Sequence, residues 1–269
     1  GSMRNIVYNM DCMDFLKQQG DKSFDLAIVD PPYGGGQAWG GWFRSQYGVR
    51  GRAGRGPENI SGKNTVQPRM GGGRFRKYQK TGAEAGAINI SKKKNNADGS
   101  VQIADIRDWD IAPPPEYFEE LFRVSKNQII WGGNYFNLPA TRCFVVWRKL
   151  QIPTHDFSMS CVEYAWTSFN KNALYCEFNS AGNSNYKRIH PTQKPVGLYK
   201  YLLKEFAKSG DKILDTHVGS GSIRIACHEE GFDFVGTEIN EWYFQKQEER
   251  FKQETAQGSL FEMVGGEIV

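Results

Sequence analysis

Short apolar runs alternate with amphipathic stretches along most of the chain. Asn5–Tyr8 and Phe24–Val29 have the length and content of strands, and between them Met13–Gln19 shows helical spacing. Further strand-like runs, rich in Val, Ile and aromatic residues, lie at Gln128–Trp131, Cys143–Trp147, Cys161–Trp166, Lys212–Leu214 and Phe232–Val235. Helical patterns cover Glu116–Val124, Gly197–Lys208, Ser222–Glu230 and Asn240–Lys252, the first opened by Pro113-Pro114-Pro115. Strands alternating with helices predict an α/β fold, a Rossmann-like and mostly parallel sheet with helices on both faces.

One stretch breaks that rhythm. Gly34–Ala104 holds 16 of the chain's 30 glycines, shows little apolar periodicity, and includes the run Ser91-Lys92-Lys93-Lys94. Connections of this length are uncommon inside a compact domain and usually serve a function or lack fixed structure. The formal net charge of +4 belongs to this stretch: it carries 13 Lys or Arg against 3 Asp or Glu, leaving 21 against 27 elsewhere. Trp39, Trp42, Phe43, Tyr47, Phe75 and Tyr78 are interleaved with its basic residues. Basic groups bind phosphates, and aromatic wedges insert where a base leaves a duplex, so a nucleic-acid partner is expected. A solvated loop with no role is the plainer alternative.

The remaining composition excludes several classes. Five scattered cysteines (Cys12, Cys143, Cys161, Cys176, Cys227) form no C-x-x-C pair, which points to neither a disulfide framework nor a zinc site. No apolar run approaches the roughly 20 residues of a membrane span, and a cytoplasmic location is expected. Gly1-Ser2 ahead of Met3 resembles a protease remnant and is set aside.

Two motifs carry candidate chemistry. Asp30-Pro31-Pro32-Tyr33 follows the run Phe24–Val29 directly. A carboxylate and an adjacent backbone carbonyl, stiffened by two prolines, form an acceptor pair that fits both hydrogens of an exocyclic amine. Such a grip draws the nitrogen toward tetrahedral geometry and aims its lone pair at an electrophile. Tyr33 offers a face on which an extruded base can stack. A Pro-Pro turn with Tyr33 as packing is the simpler reading of the tetrapeptide alone. The second motif, Asp215-Thr216-His217-Val218-Gly219-Ser220-Gly221-Ser222, joins a strand to a helix, and Glu238 ends the next strand-like run. Glycines at such a turn allow close backbone approach by a ligand, and the later carboxylate suits ribose hydroxyls. A nicotinamide site is disfavoured, because Arg224 stands where the third glycine of G-x-G-x-x-G would be. In a doubly wound sheet the Asp30 and Asp215 strands are expected to be neighbours at the topological switch point.

These motifs, in this order, resemble the beta class of DNA amino-methyltransferases. The likeness spans roughly Arg4–Tyr33 and Ile103–Phe251 and extends to Asn9-Met10-Asp11-Cys12, Trp109-Asp110 and His190-Pro191-Thr192-Gln193-Lys194-Pro195. The resemblance implies a class I methyltransferase fold, S-adenosyl-L-methionine as cofactor, and double-stranded DNA as substrate. The methylated atom would be adenine N6, with cytosine N4 or an RNA adenine as alternatives; Asp rather than Ser before Pro-Pro-Tyr tilts it toward adenine. Asp30, Pro31, Pro32 and Tyr33 would act at the target amine. Asp11 and Cys12 would meet the cofactor's adenine, Thr192 and Lys194 its methionine end, and Glu238 its ribose. Asp215, Gly219, Ser220, Gly221 and Ser222 would shape the pocket, with Asp30 at its inner wall. By the same resemblance the protein would be bacterial or phage-encoded and able to form a homodimer.

Residues 3–33 and 105–254 would then form the catalytic and cofactor-binding domain, 34–104 the inserted basic segment, and 255–269 a C-terminal tail. Within the tail, Gln257-Gly258-Ser259-Leu260-Phe261 resembles the short peptide that bacterial proteins insert into the sliding clamp, with two apolar anchors beside a polar one. Two departures from the family stand out. Members usually carry Pro-Phe where this chain has Thr216-His217, and the usual target-recognition region shrinks here to Phe169–Ile189.

Target recognition is therefore expected in the inserted segment. Replacing Gly34–Ala104 by a short linker should remove DNA binding and leave cofactor affinity and the melting temperature close to wild type. In the full chain, DNA affinity should fall steeply with salt, with a log–log slope of several units. Equal methylation of the same sequence by the shortened protein would place recognition elsewhere.

Overall fold

A computed structural model describes residues 4–33, 111–155, 160–180, 189–190 and 192–264, with side chains as far as Ala256. The inserted segment 34–104, Trp109-Asp110 and Pro191 lie outside the described residues.

Among the described residues eight strands form one sheet: β1 (Asn5–Tyr8), β2 (Phe24–Val29), β3 (Ser125–Trp131), β4 (Phe144–Lys149), β5 (Val162–Thr167), β6 (Leu174–Phe178), β7 (Lys212–Asp215) and β8 (Asp233–Thr237). Their spatial order is β1-β8-β7-β2-β3-β5-β4-β6. Only β5 runs against its neighbours β3 and β4; all other pairings are parallel. The helices are α1 (Cys12–Lys17), α2 (Pro115–Val124), α3 (Val196–Phe206), α4 (Ser222–Glu230) and α5 (Glu241–Val264), with a 3-10 turn at Gly133–Tyr135.

The central strands are buried on both faces, as parallel strands under crossover helices must be. Leu26 and Ile28 of β2 join the core formed with Leu198 and Leu202 of α3 and Ile223 of α4. Ala27 and Val29 join the opposite core, with Phe15 and Leu16 of α1 and Tyr117 and Leu121 of α2. The strand period of two thus divides β2 between two helical layers.

Local chemistry sets the helix ends. Asp11 caps α1, its Oδ1 accepting from the Met13 and Asp14 amides at 2.8 and 3.2 Å. Pro115 opens α2, where a missing N–H costs nothing. Gly221 and Gly231 flank α4 in the left-handed region that favours glycine.

The expected switch point is present. β2 pairs with β7, Leu26 opposite Ile213 and Ala27 opposite Leu214, so the chain after Asp30 and the chain after Asp215 leave the same edge side by side. Most element ends shift by one to three residues from the sequence reading, and two differences are larger. β6 was not expected, and α5 continues past Lys252 to Val264. Gln, Glu, Ala, Leu and Met in that extension favour helix, with Gly258 alone strongly opposed. The backbone of the clamp-like peptide Gln257–Phe261 therefore belongs to α5, while its side chains lie outside the described ones. No helix among the described residues is long and apolar enough to cross a membrane.

Candidate active site at the β2–β7 crevice

Asp30 follows the last residue of β2, Asp215 ends β7, and Glu238 follows β8. All three strands are parallel, so their carboxylates gather at one edge of the sheet. Asn9, just past β1, donates to the Glu238 carbonyl at 2.7 Å and brings the capping Asp11 to the same edge. One crevice thus collects most of the residues that the sequence singled out.

Asp30 has two donors. The Tyr33 hydroxyl donates to Oδ1 at 3.0 Å, and the Lys194 ammonium to Oδ2 at 2.5 Å. Lys194 is almost fully buried and also contacts Glu163 of β5 at 3.1 Å, while Glu163 accepts from Lys149 of β4 at 2.6 Å. Lys149, Glu163, Lys194 and Asp30 form a line of alternating charges. Burial pulls the Lys194 pKa down, but Asp30 and Glu163 more than offset it and hold it above the ordinary value. Burial likewise pushes Glu163 up, and the two ammonium groups bring it below the usual range. At Asp30 burial prevails over the pull of Lys194, and its carboxyl lies above the ordinary value.

Tyr33 lies on a prepared surface. Its ring stacks on Tyr135 at 4.8 Å and 18°, and its edge meets Phe136 at 6.2 Å. Gly132, at φ +67°, leaves the space that the ring fills: a Cβ there would come within 2.1 Å of Tyr33. At Gly133 a Cβ would lie 2.4 Å from Trp166, so the second glycine lets the 3-10 turn sit against β5.

The β7–α4 loop is shaped for close approach. Gly219, at φ +53°, donates its amide to Glu238 Oε2 at 2.9 Å, and the Asn240 amide donates to Oε1 at 2.8 Å. Asp215 Oδ1 accepts from the His217 amide at 2.9 Å. Burial raises both acids, Glu238 to about 7 and Asp215 to about 8, although these backbone donors work the other way. Cys12 is pushed up to about 12 by burial, with Asp11 adding to the shift, and stays a thiol.

Other predicted site residues have structural partners. Arg250, anchored in α5, donates to the Ser220 carbonyl and to Ser222 Oγ, each at 2.9 Å. Gly221 packs against Gln247, which a Cβ would approach to 3.2 Å. Thr192 turns back on His190, with Oγ1 3.0 Å from Nδ1, and His190 packs on Tyr243. Arg224, in place of a third glycine, bonds Asn5 and Gln247 at 2.7 and 2.8 Å and pairs with Glu248, tying α4 to β1 and α5.

The crevice edge offers a carboxylate and a glycine loop to a ligand. Glu238 presents a buried carboxylate between two backbone donors, beside a loop whose positive-φ glycine permits close contact. Among the described residues no His, Cys, Asp or Glu cluster could hold a metal ion.

The buried acids fix a pH response. Their folded pKa values lie above the unfolded ones, so their stabilising contribution is complete below about pH 4 and is lost as pH rises through 7 to 8. Urea unfolding of the ligand-free protein should therefore show a progressive loss of up to a few kcal/mol between about pH 4 and 8, levelling off above that. Glu238→Gln should reduce the slope below pH 7 and leave the part due to Asp215, whereas a slope equal to wild type would contradict the assignment.

Comparison with known proteins agrees with this geometry. Residues 92–249, more than half of the chain, match the N6/N4 DNA methylase family. The chain is 34% identical over 80 residues to the type II methyltransferase M.HpaI of Haemophilus parainfluenzae, covering 30% of this chain and 23% of that protein. It is 22% identical over 275 residues to the type II methyltransferase M2.MboI of Moraxella bovis, covering 93% and 88%. Among solved structures, the cytosine-N4-specific PvuII DNA methyltransferase shares the fold, with a TM-score of 0.50 at 12% identity, over 93% of this chain and 86% of that one. The match over more than half of the chain, on a fold that sets the Asp30 carboxylate beside the glycine loop after β7, decides it: the chain belongs to the N6/N4 family of S-adenosylmethionine-dependent DNA amino-methyltransferases.

Proposed function

We propose that the protein methylates N6 of an adenine turned out of double-stranded DNA at a specific sequence. The observation that carries this reading is the Asp30 carboxylate at the end of β2, beside the β7–α4 loop and held by Tyr33 and Lys194. Each Asp30 oxygen has one described donor, and a carboxylate oxygen accepts two, so acceptor capacity remains for an amine. The Pro31 carbonyl would take the second amine hydrogen. The cofactor's sulfonium supplies an electrophilic methyl group. On taking up that methyl group, displaced from the cofactor's sulfur, the amine nitrogen would become cationic, and Asp30 or water would accept its surplus proton. Lys194 keeps its charge throughout, held by Glu163.

Tyr135 now presents to Tyr33 a flat face of the kind a base would offer, which supports stacking at this position. Asp before Pro-Pro-Tyr supports adenine. The N4 amine of cytosine is the second reading, favoured by the fold shared with a cytosine-N4-specific enzyme. Recognition by the inserted segment is supported by β6, which commits Leu174–Phe178 of the alternative region to the sheet edge.

Transfer of labelled methyl groups to duplex DNA, against structured RNA, followed by nucleoside analysis, tests this reading. N6-methyldeoxyadenosine is the expected product. Asp30→Ala should lower turnover at least a hundredfold while still binding cofactor. Tyr33→Phe should retain more activity than Tyr33→Ala. Near wild-type turnover by Asp30→Ala would overturn the mechanism.

A further inference from the structure

His217, where family members usually carry phenylalanine, sits in the β7–α4 loop at the end of a buried hydrogen-bond chain. The Tyr117 hydroxyl lies 2.6 Å from Thr216 Oγ1, which lies 2.9 Å from His217 Nδ1. The two rings meet edge to face at 5.5 Å. Tyr117 is fully buried and Thr216 nearly so, whereas His217 is half-buried, two residues before Gly219 of the same loop and within electrostatic reach of Asp11.

The polarity of this chain follows from counting hydrogens. Burial holds the Tyr117 phenol well above its ordinary pKa, so it keeps its proton. Among the described residues its only hydrogen-bond partner is Thr216 Oγ1. If Thr216 donated to Tyr117, the phenol hydrogen would be buried without an acceptor, which is strongly disfavoured. Tyr117 must therefore donate to Thr216. The single Thr216 hydrogen is then given to His217 Nδ1, which must be the unprotonated nitrogen. Burial also lowers the His217 pKa to about 4, so the ring is neutral and its one hydrogen resides on Nε2. Among the described residues Nε2 has no partner.

We infer that His217 Nε2–H donates a hydrogen bond to an acceptor atom of bound S-adenosylmethionine, with Tyr117 and Thr216 fixing the tautomer that makes it a donor. The substitution of His for the family's usual Phe thus replaces a flat apolar contact with a directed polar one, and Thr for Pro supplies the hydroxyl it needs. This rests on cofactor binding and is independent of which base is methylated.

The test combines calorimetry and nitrogen NMR on the full chain, with S-adenosylhomocysteine as probe. His217→Phe should bind the probe about five- to tenfold more weakly than wild type, with an unchanged ligand-free melting temperature. His217→Gln, which keeps a donor, should recover most of the loss. The chain has four histidines, so the His217 signals are those missing from His217→Phe. They should report the Nε2–H tautomer alone in wild type and both tautomers in Tyr117→Phe. Equal affinity of His217→Phe and wild type, or an Nδ1–H tautomer in wild type, would overturn the inference. Failure of the wild type to bind the probe would instead overturn the cofactor assignment beneath it.

Discussion

The pairing of β2 with β7 is the constraint on which the rest depends. Parallel strands place their carboxyl ends at one edge, and hydrogen bonding sets neighbouring strands about 5 Å apart. Asp30 and Asp215, remote in sequence, are thereby brought to adjacent strand ends. A one-residue slip of β2 would exchange its two buried faces, sending Leu26 and Ile28 into the packing of α1 and α2. The two cores that stabilise the sheet also fix where the acceptor carboxylate stands. Stability and site geometry share a cause.

Around Asp30 the protein has built a polar interior of some cost. Lys149, Glu163, Lys194 and Asp30 alternate in sign, and full ionisation leaves the group neutral. Burying such groups is unfavourable unless each is paired, and removing one member of a buried pair costs about 3–5 kcal/mol because its partner is stranded. The arrangement keeps a buried, charged donor against the Asp30 carboxylate. The β7–α4 loop is braced comparably: Arg250 and Arg224 bind its serines and its helix to α5 and β1, leaving Gly219 and Glu238 toward the crevice.

Much of this was legible in the sequence, where local chemistry leaves a local mark. Asp-Pro-Pro-Tyr after an apolar run and Gly-Ser-Gly after another each signal a strand end that carries function, and the adjacency of β2 and β7 followed from strand–helix alternation. Strand β6 was overlooked although Leu174, Tyr175, Cys176 and Phe178 carry an apolar and aromatic signature that a strand reading could have used. Glu163, Lys149 and Tyr135 were missed for another reason. Their roles arise from sheet pairing and packing across distant segments, and no spacing in the sequence announces that a strand glutamate will face Lys194. Ser222 looked like a pocket residue by position, yet Arg250 holds it in the protein interior. The glycines of Trp131-Gly132-Gly133 were a readable clue, since paired glycines after a buried strand mark close approach.

The central claim is that this crevice joins a methyl donor to the exocyclic amine of a DNA base. It is tested most directly by expressing the full chain in cells that lack DNA methylation and sequencing their genome with modification detection. The account predicts N6-methyladenine at one recurring sequence. An unmodified genome, despite abundant folded protein, would contradict it.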